Sequence, residues 1–144
     1  MSEFTVCETQ IKDLDVLLDT LKEFGYDSTK VEVHEEATNL VGYQNDKRQQ
    51  KAHVVIRKNN VGSASNDIGF EKQSDGTYTA HVSDYDKARG IGRKIYPSNK
   101  GGSGEFVQKY TELMVEKSVA KNKKYKIASK TKEGNKTKIK IVFN

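Results

Sequence analysis

The sequence predicts an α+β fold in which an antiparallel sheet carries two helices on one face. Three observations lead there. Residues 66–86 hold two alternating runs around Ser74-Asp75-Gly76, with Ile68 and Phe70 sharing a face of the first and Tyr78, Ala80 and Val82 a face of the second. Alternation on both sides of an Asp-Gly pair marks a hairpin, because glycine supplies the positive φ of a tight turn. Two helical stripes flank it, one at Leu14, Leu17, Leu18, Leu21 and Phe24 and the other at Phe106, Tyr110, Leu113 and Met114. A last pair of runs, 125–131 and 136–143, closes the chain around Glu133-Gly134-Asn135.

In chain order, residues 4–11 alternate well enough for a strand, with Phe4, Val6 and Ile11 on its apolar side if a bulge intervenes. Asp13 is placed to cap the first helix, because its carboxylate can accept from backbone N–H groups that have no partner in the first turn. Gly25 sits where a left-handed residue ends a helix. Residues 31–36 and 39–44 read as two short strands or one kinked strand, 45–50 as a polar loop, 52–58 as an inner strand and 59–65 as a loop. Beyond the central hairpin, 87–104 is the least regular segment, with five glycines and the only proline, Pro97. It reads as a flexible basic loop within a single domain spanning 1–144. Ser103 is a candidate cap for the second helix, which frays through 120–124. In the final strand, Ile139, Ile141 and Phe143 are expected to face the core and Lys136, Lys138 and Lys140 to face outward. The whole order reads as two β-α-β-β units.

Composition narrows the setting. Hydrophobic residues make up 34% of the 144, and mean hydropathy is -0.80, so the core is small and the surface heavily charged. No run approaches the roughly 20 apolar residues that cross a bilayer. The first residues lack the basic and apolar regions of a secretory signal, and the single cysteine, Cys7, has no internal partner. The expectation is a soluble, cytoplasmic protein of a reducing compartment, with no membrane association. The net charge of +5 conceals an asymmetry: 3 Lys+Arg against 11 Asp+Glu in residues 1–46, 12 against 6 in 47–110, and 10 against 3 in 111–144. A chain polarised in this way can dock on a charged macromolecule or pair its own acidic and basic parts.

Several stretches carry a family likeness: Ser2-Glu3-Phe4, Thr9 to Asp13, Leu17, Leu21 and Gly25-Tyr26, then Val41-Gly42-Tyr43-Gln44, residues 52–57 and Asn66-Asp67-Ile68-Gly69-Phe70. Together with the later helix and closing hairpin, these resemble the hypothetical chloroplast reading frames, small proteins of unknown function from algal plastids, cyanobacteria and bacteriophages. The chain departs from that pattern at Glu3, where relatives often carry histidine, in extra residues within 87–104, and in a lysine-rich last third. The resemblance implies a fold and a setting in a plastid, a bacterium or a phage-infected cell. It implies no activity, so no catalytic residue is carried over.

Each candidate for chemistry meets a plainer reading. Asp84 and Asp86, two apart, would share a side of a strand and could hold Mg²⁺ or split acid and base roles, but acids at a strand end more often meet water or cap a turn. His34, His53 and His81 lie on separate predicted strands without ligand spacing. Cys7 lacks an electropositive setting. Gly101-Gly102-Ser103-Gly104 opens a helix but lacks a phosphate-loop signature, and reads better as a hinge. No catalytic residue, metal or cofactor is assigned, and the chain is read as a non-enzymatic binding or adaptor domain whose partner is most plausibly a protein. The runner-up is a nucleic-acid-binding accessory factor. For either, the macromolecule-binding candidates are Tyr85, Arg89, Arg93, Lys94, Tyr96 and Lys100, with Lys136, Lys138 and Lys140.

Overall fold

The computed structural model describes residues 10–122, 124–133 and 136–143. The expected strand at 4–11, with Phe4, Val6 and Cys7, falls outside these residues except for its last two. The first described helix, α1 (Leu14–Glu23), begins as the sequence predicts, with the Asp13 carboxylate accepting from the Val16 N–H at 3.0 Å. It ends in a Schellman turn: Tyr26 N–H reaches the Leu21 carbonyl, Gly25 N–H reaches that of Lys22, and Gly25 takes φ +94°.

Four antiparallel strands follow in simple meander order: β1 (Glu32–Val41), β2 (Lys47–Ile56), β3 (Ile68–Lys72) and β4 (Tyr78–His81). The kink in β1 is a bulge. Val33 faces Val54 and Thr38 faces Ala52, so residues 34–37 stand opposite His53 alone. The segment 45–50 is not a loop from end to end, since β2 begins at Lys47. Residues 47–51 are all exposed, so no core face imposes an apolar alternation there. Between β2 and β3, the expected loop contains a single helical turn, α2 (Lys58–Val61). The β3–β4 hairpin turns at Gly76, which takes φ +88°.

The pairs Val54↔Phe70 and Ile56↔Ile68 put four apolar side chains on one face of the sheet. That face carries α1 through Val16, Leu17 and Leu21, and the second long helix, α4 (Glu105–Lys121), through Phe106 and Tyr110. Phe106 stacks between Phe24 and Phe70, with centroids 5.7 and 5.6 Å away. The Tyr110 hydroxyl accepts from the N–H groups of Lys12 and Asp13, both at 3.0 Å, which joins α4 to the start of α1. On the opposite face a small second cluster of Leu40, Ala52 and Val55 is buried. Gly69 makes room for it, because a Cβ there would lie 2.4 Å from the Ala52 Cβ. The fold is therefore α+β, with an antiparallel sheet and both long helices on one face.

Two expectations are corrected. Residues 87–104 form a packed helical turn: a 3-10 turn (Asp86–Ala88), a short helix α3 (Gly90–Ile95) and another 3-10 turn (Ser98–Lys100). Ile91 and Ile95 enter the main core from α3, so the polar and glycine-rich composition concealed two anchoring residues. The closing strands, β5 (Tyr125–Glu133) and β6 (Lys136–Phe143), form a separate two-stranded sheet, so among the described residues two β-α-β-β units do not share one sheet. This ribbon rests on α4, where Lys130 pairs with Glu112 and with Glu116. Ile139 is half-buried and Ile141 is 43% exposed, contrary to the expected core face; the Phe143 side chain lies outside the described residues.

Candidate functional site

The basic turn is built by close backbone packing. A Cβ on Gly92 would stand 2.1 Å from the Asp86 carbonyl oxygen, and one on Gly102 2.1 Å from that of Tyr96. Only glycine permits those approaches. Ser103 N–H donates to the Arg93 carbonyl at 2.9 Å, and Gly104 N–H to that of Tyr96 at 3.0 Å. The run 101–104 is thus a packed turn rather than the expected hinge. Ser103 Oγ accepts from Glu105 N–H at 3.4 Å, while Gly104 occupies the cap position of α4.

This packing holds Arg89, Arg93, Lys94 and Lys100 in exposed positions, and 87–104 contains no acidic residue. Tyr85 is 42% exposed, with the Arg89 guanidinium 3.9 Å from its ring centroid. Lys87, which the sequence reading did not single out, stands 4.9 Å from the Tyr96 centroid and pairs with Asp84 at 2.8 Å. Its ammonium pKa is pushed up to about 12, by Asp84 first and by Tyr96 second. Lys94 lies 5.5 Å from the Phe24 ring, on the edge of the core. Arg93 and Lys94 occupy the last turn of α3, where cations complement exposed carbonyls.

The ribbon lysines form a second basic area. Ser129↔Lys140 and Thr131↔Lys138 lie on the ribbon face opposite the one that carries Lys130, and both Lys138 and Lys140 are exposed. Lys136 has the same parity, but its side chain lies outside the described residues. Both α3 and the ribbon pack against α4.

A polar cleft of about 180 Å³ opens beside Tyr96, walled by Arg48 and Gln50 on one side and by His81 and Ser83 on the other. Arg48 and Gln50 escaped the sequence reading because their strand looked like a loop. The cleft floor is a closed hydrogen-bond network. Asp67 Oδ2 accepts from Arg57 and from Val41 N–H, both at 2.8 Å, while Oδ1 accepts from Lys58 N–H at 2.7 Å. Arg57 also grips Glu32 bidentately, at 2.8 and 2.9 Å. The Arg57 pKa is raised, first by Glu32, and that of Glu32 is lowered, first by Arg57.

The other candidates do not assemble. Asp84 points into solvent toward Lys87, whereas Asp86 is 1% exposed and accepts from Asn66 N–H at 3.1 Å and from Ser83 Oγ at 2.8 Å. Two carboxylates so differently placed cannot share a metal or a substrate atom. His34 pairs with Glu32 and His81 with Glu71, each at 2.9 Å, while His53 Nδ1 accepts from Lys72 N–H. Among the described residues no group of three or more potential ligands could hold a metal ion. No described helix is long and apolar enough to cross a membrane. No family model, curated protein or solved structure matches this chain.

Proposed function

We propose that this chain is a non-catalytic binding module that docks on single-stranded nucleic acid through the 85–100 turn. The observation that carries the reading is the turn itself, whose sole acid, Asp86, is buried, and which glycine packing fixes with four exposed cations beside two tyrosines. Arg93, Lys94 and Lys100 supply phosphate contacts, and each phosphate engaged releases counterions. Tyr85, already carrying Arg89 on its ring, and Tyr96, at the mouth of the cleft, supply surfaces on which unpaired bases stack. Lys138 and Lys140 extend the positive field along the ribbon. This places nucleic acid ahead of the protein partner that the sequence alone favours, because a protein-docking reading does not explain why cations and tyrosines are held together by so tight a backbone.

The test is fluorescence anisotropy with labelled single- and double-stranded oligonucleotides of random sequence, across a salt series. Saturable binding, tighter for single strands and falling linearly against log[salt], is expected. The double change Arg93→Ala with Lys94→Ala should weaken binding for every sequence and reduce the single-strand salt slope by about 1.4. Tyr85→Ala should weaken binding by about 1–3 kcal/mol without altering the slope. Absence of binding at low salt overturns the reading.

A further inference from the structure

The acidic part of the chain carries a surface of a different kind. A groove of about 260 Å³ lies between α1 and the start of β1, lined by Leu18, Tyr26, Val31 and Val33 among others, with Asp19 and Asp27 at its rim. Lys22 is the sole cation among the lining residues. Val33 is 51% exposed, and it belongs to the edge strand of the sheet: among the described residues, no strand pairs with the outer side of β1. Beyond Val33 that edge continues into Glu35 and Glu36, both exposed. An open strand edge beside an apolar groove in an acidic setting suits an extended segment that alternates aliphatic and basic residues.

The chain contains such a segment. β6 reads Lys136-Thr137-Lys138-Ile139-Lys140-Ile141-Val142, and among the described residues its only strand neighbour is β5. An isolated two-stranded ribbon leaves apolar surface poorly covered, as the exposure of Ile141 shows. The formal charges are complementary too, since 1–46 is acidic by eight and 111–144 basic by seven.

We propose that the groove and the β1 edge receive β6 from a second copy of this chain. In that contact the second copy's β6 lengthens the four-stranded sheet, its Ile141 covers Val31 and Val33, and its lysines meet the carboxylates of the first copy. The two surfaces are different patches of one molecule, so the contact is heterologous. It leaves a free groove at one end and a free ribbon at the other, and assembly continues unless a ring closes. This surface is separate from the 85–100 turn, so the contact goes beyond the nucleic-acid reading.

Sedimentation velocity, without nucleic acid and over a concentration series reaching hundreds of micromolar, tests it. The wild-type protein should form oligomers that grow with concentration, and association should weaken by about tenfold on going from low to high salt as the charges are screened. Val33→Lys blocks the groove, and Lys140→Glu with Ile141→Glu blocks the strand, so each variant alone should be monomeric. Their equimolar mixture should give a dimer and nothing larger, because one intact groove meets one intact strand. Lys140→Glu alone serves as the ribbon variant if the double change unfolds, which circular dichroism reports. A wild-type protein that stays monomeric throughout, a dimer that survives Val33→Lys, or a mixture that fails to associate each overturns the proposal. Sedimentation is read without nucleic acid, so its outcome and that of the oligonucleotide titration at the 85–100 turn are scored separately. The Lys140→Glu variants are kept out of that titration because Lys140 belongs to the positive field there.

Discussion

Arg57 donates to the nearly buried carboxylate of Asp67 at 2.8 Å, and that carboxylate also holds the main chain of β1 and of α2. Removing the acid leaves two N–H groups and the Nη1 arm of the guanidinium without their acceptor, while Glu32 still holds the other two nitrogens. Asp67→Ala should therefore cost about 3 kcal/mol, as breaking a buried ion pair from one side commonly does. Urea unfolding monitored by circular dichroism measures it. Asp67→Asn should recover part of the loss, since the amide oxygen still accepts.

Tyr110 supplies the second long-range tie. Its oxygen serves Lys12 and Asp13, near a helix start whose N–H groups have few other acceptors. Tyr110→Phe keeps the ring and loses the oxygen, so the expected cost is about 1–3 kcal/mol. A loss below half a kcal/mol in the same assay would show that water replaces the hydroxyl at no expense.

Gly92→Ala tests whether the backbone of the basic turn matters separately from its charge. The added methyl meets the Asp86 carbonyl, and the turn must open to admit it. The expected result is a loss of about 1–3 kcal/mol in stability. Oligonucleotide affinity should fall as well, although no cation has been removed, and anisotropy beside thermal unfolding separates the two effects.

Acid should weaken the fold in a defined way. The pKa values of Asp13, Glu32, Glu71 and Glu112 are lowered on folding, the first three chiefly through bonds to Lys117, Arg57 and His81. At Glu112, burial pushes upward but Lys130 and Lys109 outweigh it. A carboxyl whose folded pKa lies below its unfolded one contributes stability above the unfolded value and loses it as pH falls through the folded one. The melting temperature should thus be nearly flat in the neutral range and fall below about pH 4. Lys130→Ala removes a cation that favours the charged form of Glu112, so the folded pKa moves up toward the unfolded one. The acid limb of that profile should then be shallower, starting from a lower neutral plateau.

The elements legible in the sequence are those whose side chains alternate or repeat because one face is dry. The β3–β4 hairpin, α1 with both of its ends, and α4 all have that property. Residues 47–51 do not: both faces of that strand are wet, and its place is set by main-chain pairing and by the Asn39 side chain on the Arg48 carbonyl. The turn at 87–104 was hidden for another reason, since Ile91 and Ile95 are too few to make a stripe and the glycines signal looseness when their work here is close packing. At the candidate site, the exposed cations could be read from composition, but the bond from Asn66 that helps bury Asp86, and the cleft beside Tyr96, depend on contacts between residues far apart in sequence.

Asn66 has a consequence for the dynamics of the chain. Its N–H reaches Asp86, its amide nitrogen reaches Ser83, and its amide oxygen receives Tyr43 N–H at 3.0 Å. The tip of the β1–β2 hairpin and the entry to the basic turn are therefore held by one side chain and its own backbone. Opening either one breaks bonds to Asn66 that hold the other, so the two are expected to open as one unit in native-state hydrogen exchange. The Tyr43 amide becomes a distant reporter: an oligonucleotide gripping the turn should slow its exchange without coming near it.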